Sequence, residues 1–328
     1  MPLTKLQISH IRNLHQVRLP ALAGINLFYG ENGSGKTSVL EAISVLGMAR
    51  SFRSGRLQTL ITHGQTRCTV FGQVSPLLEP ASAGATSIGV ERDYNSPARI
   101  RINGNTVSAV SELALHLPLQ VLNAQSFDLL LGGPAARRKY LDWGLFHVEH
   151  GFLPIWQTFQ RCIKQRNSLL RRGKINNQEL KIWTGYLAEA GDALDLARQA
   201  YRKQLLPVLE STLSRLAPDL TGLEFRFRRG WDRQLTYAEA LEAGLPADLE
   251  HGFTHVGPQR ADLRIVRDGV SVADVLSRGQ LKLVVCALKL AQGDLLASKT
   301  GQTCTYLVDD LPSELDSGRI ELVMDYLR

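Results

Sequence analysis

Apolar and polar positions alternate from the first residues. Leu3-Thr4-Lys5-Leu6-Gln7-Ile8 places Leu6 and Ile8 on one face of a strand, and Val17-Arg18-Leu19 resumes extension after a turn at Arg12-Asn13. The pattern predicts a hairpin. Gly24 to Tyr29 is a short apolar run suited to a buried strand, and Ser38 to Leu46 switches to helical spacing with Leu40, Ile43 and Leu46 on one face. Alternation returns at Cys68 to Val74 and at Ala98 to Ile102, where Asn103-Gly104-Asn105 signals a hairpin turn. Pro76 to Ala85 reads as an exposed loop. Leu119 to Leu122 is an apolar strand, and Gly132-Gly133-Pro134 opens a helix. From about Phe146 to Glu250 strand signals nearly vanish, while Leu187, Leu194, Leu205 and Leu209 fall on one helical face. Leu263 to Val266 alternates, Leu281 to Leu296 is an apolar helix, Cys304 to Val308 a strand, and a helical segment closes the chain. No repeat and no sustained heptad pattern is present.

The turn between the predicted strand at Gly24 to Tyr29 and its helix carries chemistry. Gly30-Glu31-Asn32-Gly33-Ser34-Gly35-Lys36-Thr37 fits the phosphate-loop pattern G-x-x-x-x-G-K-[ST]. Glycines let the backbone curl so that N–H groups and a helix N-terminus aim at phosphate oxygens. Lys36 then reaches the β- and γ-phosphates and Thr37 offers its hydroxyl to Mg²⁺. The apolar strand at Cys304 to Val308 ends in Asp309-Asp310. Asp309 is placed to hold Mg²⁺ through water, and Asp310 to orient or deprotonate an attacking water. A soluble kinase could use such a loop too.

Charge adds a larger anion to the picture. Lys and Arg number 38 against 31 Asp and Glu, a formal net charge of +7. A nucleotide site needs only a local positive field, so the excess points to nucleic acid. Arg161 to Lys174 holds six basic residues in fourteen and no acid. Arg161, Lys164, Arg166, Arg171 and Arg172 are therefore candidates for a phosphate backbone, with Arg53 in the arginine-rich stretch after the loop helix. Cys68, Cys162, Cys286 and Cys304 are scattered without metal-site spacing, which predicts reduced structural thiols. Neither a signal peptide nor a membrane span is legible, so a cytoplasmic protein with no membrane partner is expected.

Leu276-Ser277-Arg278-Gly279-Gln280 resembles the signature of ABC-type ATPases, and Ser313 to Asp316 resembles the segment called the D-loop. More closely, Arg12-Asn13, Glu41-Ala42-Ile43, Arg50-Ser51-Phe52-Arg53, Arg137-Arg138, Leu141-Asp142-Trp143-Gly144, Lys164-Gln165-Arg166-Asn167 and Ser277 to Lys282 are similar, in order, to the RecF family. The resemblance implies an α/β fold: an ABC-type ATPase head with a P-loop, a mixed sheet and an antiparallel subdomain, plus a helical arm. The head would comprise residues 1–145 and 251–328, and the arm residues 146–250. It also implies ATP and Mg²⁺ as ligands, with Gly30 to Thr37, Arg12 and Asn13 on the nucleotide. Ser277, Gly279 and Gln280 would meet the nucleotide of a second subunit in an ATP-dependent homodimer. Lys36 and Asp310 would be catalytic, and Thr37, Asp309 and Gln125 would lie at the metal. The implied activity is a weak, DNA-stimulated ATPase that binds double-stranded DNA at gaps or junctions and some single-stranded DNA. With RecR and RecO it would help load RecA in repair, replication restart and the SOS response. Three departures stand out. Gln259 replaces a histidine, the run Asn123 to Asp128 differs from the family pattern, and the family continues past position 328 with a further strand.

Overall fold

In a computed structural model, the structure describes residues 3–20, 24–75, 84–172, 176–310 and 315–327. The chain divides into two compact units, Met1–Ser126 with Leu296–Arg328, and Phe127–Leu295.

In the first unit the predicted hairpin forms from β1 (Leu3–Ile11) and β2 (Leu14–Pro20). β3 (Arg67–Val74), β4 (Thr86–Asp93), β5 (Ser96–Ile102) and β6 (Asn105–Val107) extend it into one antiparallel sheet ordered β2-β1-β3-β4-β5-β6. The turn between β5 and β6 uses positive φ at Asn103 (49°) and Gly104 (83°), the geometry Asn-Gly supplies at low cost. β4 escaped the sequence reading, although its Ile88 and Val90 alternate like their neighbours.

One face of this sheet is dry. Leu6, Ile8, Cys68, Val70, Ile88, Val90 and Ile100 are each at most 1% exposed, and they share a core with α1 (Lys36–Met48). That helix is buried on nearly every side rather than along the single predicted stripe. A Cβ at Gly47 would stand 2.3 Å from a Leu119 methyl, so only glycine lets α1 approach β7 (Leu119–Leu122). Beyond β7, β11 (Thr305–Val308) pairs with it in parallel, matching Thr305 with Leu119 and Val308 with Leu122. The unit also holds the short helices α2 (Leu57–Leu60) and α3 (Val110–His116), and the last helix α12 (Ser317–Leu327).

Gly24 to Tyr29 corrects the sequence reading. It is not a buried strand: these residues make no ladder among the described residues, and Ile25, Leu27 and Tyr29 are 51%, 81% and 88% exposed. An apolar run becomes a strand only where a neighbour satisfies its backbone groups. The predicted loop at Pro76 to Ala85 lies mostly outside the described residues, as do Ser313 and Glu314 of the D-loop resemblance.

The second unit is mainly helical. α4 (Asp128–Leu131) and α5 (Pro134–Val148), with Pro134 at its first turn, lead to α6 (Phe152–Leu170) and the 40-residue α7 (Asn177–Leu216). Leu187, Leu194, Leu205 and Leu209 of α7 are all buried, as their spacing requires. The missed strand β8 (Leu223–Arg228) joins β9 (Asp262–Arg267) and β10 (Val270–Ser271) in a small sheet ordered β10-β9-β8. α8 (Tyr237–Ala243), α9 (Leu245–His251), α10 (Val272–Val275) and α11 (Arg278–Thr300) complete the element order. In α11 the fully buried Gln292 donates to Tyr140 O at 2.8 Å and to the Tyr201 hydroxyl at 3.1 Å.

Cys68, Cys162 and Cys286 are buried free thiols, and burial pushes Cys68 and Cys286 up to about 11. They are inert neutral groups at neutral pH.

In α5, the burial of His147 has a clear pH signature. It is 4% exposed, packs on Trp143 and Phe146, and neither ring nitrogen finds a partner. Burial holds its pKa down at about 4 against 6.5 for the free side chain. The unfolded chain therefore binds this proton first, and stability falls as pH drops from about 6.5 towards 4, by about 3 kcal/mol in all. His147→Phe should thus gain about 2 kcal/mol on the unsubstituted chain between pH 7.5 and pH 5 in urea unfolding. A stability difference that stays constant with pH would refute this.

Candidate nucleotide site and signature helix

Residues 30–37 fold as a loop into α1. Gly35 caps the helix at φ 100°, and a Cβ there would stand 2.7 Å from a Leu14 methyl. No side chain caps the N-terminus of α1 and no acid lies in its first turn. Those backbone N–H groups are consequently available to an anion. Lys36 folds over the loop, its Nζ donating to Gly30 O at 2.7 Å and Glu31 O at 2.8 Å. Phe28, Tyr29, Ser34, Lys36 and Val39 line an open cavity of about 290 Å³.

A second layer fixes the loop. Asn13 Nδ2 donates to Gly33 O at 2.7 Å, and Ser38 Oγ donates to Asn13 Oδ1 at 2.9 Å. Arg12 grips Glu41 with two bonds of 2.8 and 2.7 Å, and Ser51 Oγ donates to the same carboxylate. Ser51 Oγ in turn accepts from the backbone of Arg53 at 3.0 Å. In this arrangement Arg12 and Asn13, expected on the nucleotide, bond Glu41 of α1 and Gly33 of the loop. Glu41 and Ser51 join this layer, and the signal was there: Glu41 is the lone acid of α1 and is fully buried.

The acidic strand arrives where it was expected. Asp309 N donates to Leu122 O at 2.9 Å, carrying the β7–β11 pairing one step further. This sets Asp309 beside the loop, and Thr37 Oγ1 donates to Asp309 Oδ1 at 3.0 Å. A hydroxyl and a carboxylate oxygen at that separation suit a hard divalent cation that takes its other ligands from phosphate and water. The described residues hold no group of three or more His, Cys, Asp or Glu side chains fit for a metal, so a site at Thr37 and Asp309 needs the phosphates. Asp310 is exposed and adopts φ 59°. Gln125 is exposed, its amide donating to Arg53 O at 3.4 Å.

In the second unit the signature forms a reciprocal cap. Ser277 N donates to Gln280 Oε1 at 3.0 Å and Gln280 N to Ser277 Oγ at 3.3 Å, which starts α11 at Arg278. Three arginines clamp the loop preceding β9. Arg137 pairs with Asp262 at 2.7 Å, Arg138 donates to Ala261 O at 2.8 Å, and Arg198 bridges Asp142 and Pro258 O. Gln259, which stands where a histidine was expected, donates to Val256 O at 2.8 Å.

The basic helix is only partly a surface. Arg161 and Lys164 on α6, and Arg171 and Arg172 just beyond it, are exposed, as is Arg53 of the first unit. Arg166 corrects the expectation of a phosphate contact. It is fully buried, with Asp248 Oδ2 at 2.7 Å, Thr254 Oγ1 at 2.6 Å and Thr184 Oγ1 at 3.1 Å. Its neighbour Asn167 accepts from the Thr254 backbone and hydroxyl. Among the described residues no helix is long and apolar enough to cross a membrane.

Known proteins are similar over nearly the whole chain. Residues 2–328 match the RecF/RecN/SMC N-terminal domain family. The "DNA replication and repair protein RecF" of Pseudomonas aeruginosa (strain LESB58) is 50% identical over 317 residues, covering 96% of this chain and 84% of that protein. Its counterpart in Stutzerimonas stutzeri (strain A1501) is 49% identical over 317 residues, covering 97% of this chain and 84% of that protein. A solved structure of the recombination mediator protein RecF with ATP, in the RecFOR pathway, superposes with a TM-score of 0.87 at 27% identity, over 100% of this chain and 89% of that one. An Smc head bound to the C-winged helix domain of ScpA gives a TM-score of 0.58 at 14% identity over 100% of this chain and 85% of that one, a likeness of fold alone. With an ABC-type α/β head fold and half its residues shared with these repair proteins, the chain belongs to the RecF family.

Proposed function

We infer that the chain is an ATP-dependent recombination mediator that pairs on ATP, holds duplex DNA beside single-strand gaps, and works with RecR and RecO to load RecA. The observation that carries this reading is the Thr37–Asp309 contact at 3.0 Å beside a helix N-terminus with no cap of its own. It joins the phosphate loop to the acidic strand across 272 positions of the chain. Lys36 leaves its two loop carbonyls to meet the β- and γ-phosphates, and the N–H groups of the loop take the remaining oxygens. Thr37 and Asp309 would hold Mg²⁺, which supplies charge neutralisation at the phosphates when bound. Asp310 orients water for attack on the γ-phosphorus; its side chain is one carbon shorter than the glutamate usual at this position in ABC-type ATPases, so hydrolysis is slow.

The signature at Ser277 to Gln280 is a second helix start that would take an anion once its reciprocal cap opens. We assign it to the nucleotide of a second copy, which makes each site complete only in a head-to-tail pair. On this reading the head, residues 1–145 and 251–328, reaches beyond the first compact unit into the second, and the arm is residues 146–250. Duplex phosphates fall to Arg161, Lys164, Arg171, Arg172 and Arg53, in a cytoplasmic protein. The test is binding of a fluorescent duplex at two salt concentrations with ATP·Mg²⁺, with ADP and without nucleotide. Tight binding with ATP alone, weakening steeply with salt, is the expected result. Equal binding in all three states would reduce the chain to a basic DNA-binding module.

A further inference from the structure

The six-stranded sheet covers its inner face with α1 and turns its other face outward. Along one row of the outer face the register sets Arg18 opposite Gln7, Gln7 opposite Phe71, Phe71 opposite Gly89, and Gly89 opposite Arg101. Residues directly opposite share a face, so these side chains form one line across five strands. Arg18 and Arg101 are exposed, and Gln7 and Phe71 are half-buried. Lys5 lies over the Phe71 ring at 5.9 Å from its centroid. Glu91 is engaged by Arg67 and Arg99, whereas Lys5, Arg18 and Arg101 have no acidic partner among the described residues.

An aromatic ring on a sheet surface commonly covers a neighbouring glycine, which would account for Phe71 without any ligand. The geometry excludes that here. A Cβ built on Gly89 would meet no atom within 4 Å, so the Phe71 ring does not lie over it. The floor beside the ring is open. Phe71 and Arg101 stand two strand spacings apart, about 10 Å. A planar base stacked on both the phenyl ring and the guanidinium needs about twice the 3.4 Å base step, roughly 7 Å.

We propose that the outer face of this sheet binds single-stranded nucleic acid, one unpaired base lying over Gly89 between Phe71 and Arg101. Arg18 and Lys5 take neighbouring phosphates, and Gln7 offers amide donors and acceptors to a base edge. Bare side chains of one sign around an aromatic suit a polyanion whose rings are exposed, and a duplex hides its rings in the stack. The proposal rests on the DNA-binding reading above and names where the unpaired strand of a gap would lie.

The test uses the full chain with ATP·Mg²⁺ and a Phe71→Trp reporter. Oligo-dT should quench the fluorescence gained over the unsubstituted chain, while an equal length of blunt duplex and free dTMP leave it unchanged. Phe71→Ala and Arg101→Glu should each weaken oligo-dT binding about tenfold or more. Quenching by duplex as strong as by oligo-dT would overturn the single-strand assignment, and quenching by dTMP at matched concentration would turn the slot into a mononucleotide site. Duplex binding by the unsubstituted chain without any oligo-dT quench would overturn the platform and leave the duplex reading standing. No binding of either nucleic acid would overturn both.

Discussion

Lys36→Ala is expected to raise the Kd for ATP at least a hundredfold and to abolish the nucleotide-driven pair, while leaving the chain folded. The loop's anion site has two parts, backbone N–H groups and one mobile cation. The backbone part is held by Asn13 on Gly33 and by the Arg12–Glu41–Ser51 contacts, none of which involves Lys36. Truncation therefore leaves the cradle standing. The side chain's own bonds run to Gly30 and Glu31 carbonyls at an exposed site, where each is worth no more than about 1 kcal/mol. What disappears is a full positive charge against a triphosphate, a charge-assisted contact that water cannot replace. Calorimetric titration gives the affinity, light scattering with and without ATP the pairing, and a melt without nucleotide the fold. An ATP-induced pair that survives in Lys36→Ala would defeat the proposed geometry. A collapse of the melt would show that Lys36 acts as a structural strut across the loop.

The sequence made legible whatever depends on local spacing. The phosphate loop is a contiguous pattern, β1, β3 and β5 declare themselves by alternation, and Asn103-Gly104 supplies the positive φ its turn needs. The order of loop, signature and acidic strand was readable for the same reason. The contact that closes the site, Thr37 to Asp309, spans 272 positions, and only the motif suggested it. Where partners are distant and carry no motif, local reading failed. Gly24 to Tyr29 has the composition of a strand, yet strand character belongs to a ladder, and no ladder forms there among the described residues. Arg137, Arg138 and Arg198 find these partners only once the loop at 257–262 is folded between them. Arg166 was a different kind of failure. Phe159, Cys162, Leu169 and Leu170 are buried with it at spacings of three and four, so the helical phase already put Arg166 on the dry side. Counting charges along the chain hid what the periodicity stated.

That placement makes Arg166→Ala the largest expected stability loss in the second unit, about 3–5 kcal/mol in urea unfolding. The reason is what it leaves behind. Asp248 is fully buried and receives Arg166 at 2.7 Å, the His255 backbone at 2.9 Å and the His255 ring at 2.9 Å. Removing the guanidinium leaves a buried carboxylate without its countercharge and the Thr184 hydroxyl without this donor, and α6 is left with the Asn167–Thr254 bonds as its tie to the loop after α9. Replacing both charges, Arg166→Met with Asp248→Leu, should recover part of the loss, because a buried ion pair contributes little net stability beside apolar packing. DNA binding separates this role from a phosphate contact. At a temperature where the variant is folded, Arg166→Met should keep the same slope of log K against log salt, while Arg161→Ala lowers it by about one. A slope that drops equally in both would return Arg166 to the DNA surface and require the Arg166–Asp248 pair to open when DNA binds. A slope unchanged in both would move the duplex off Arg161 and its face of α6, leaving Arg53, Arg171 and Arg172 as the assigned contacts to test next.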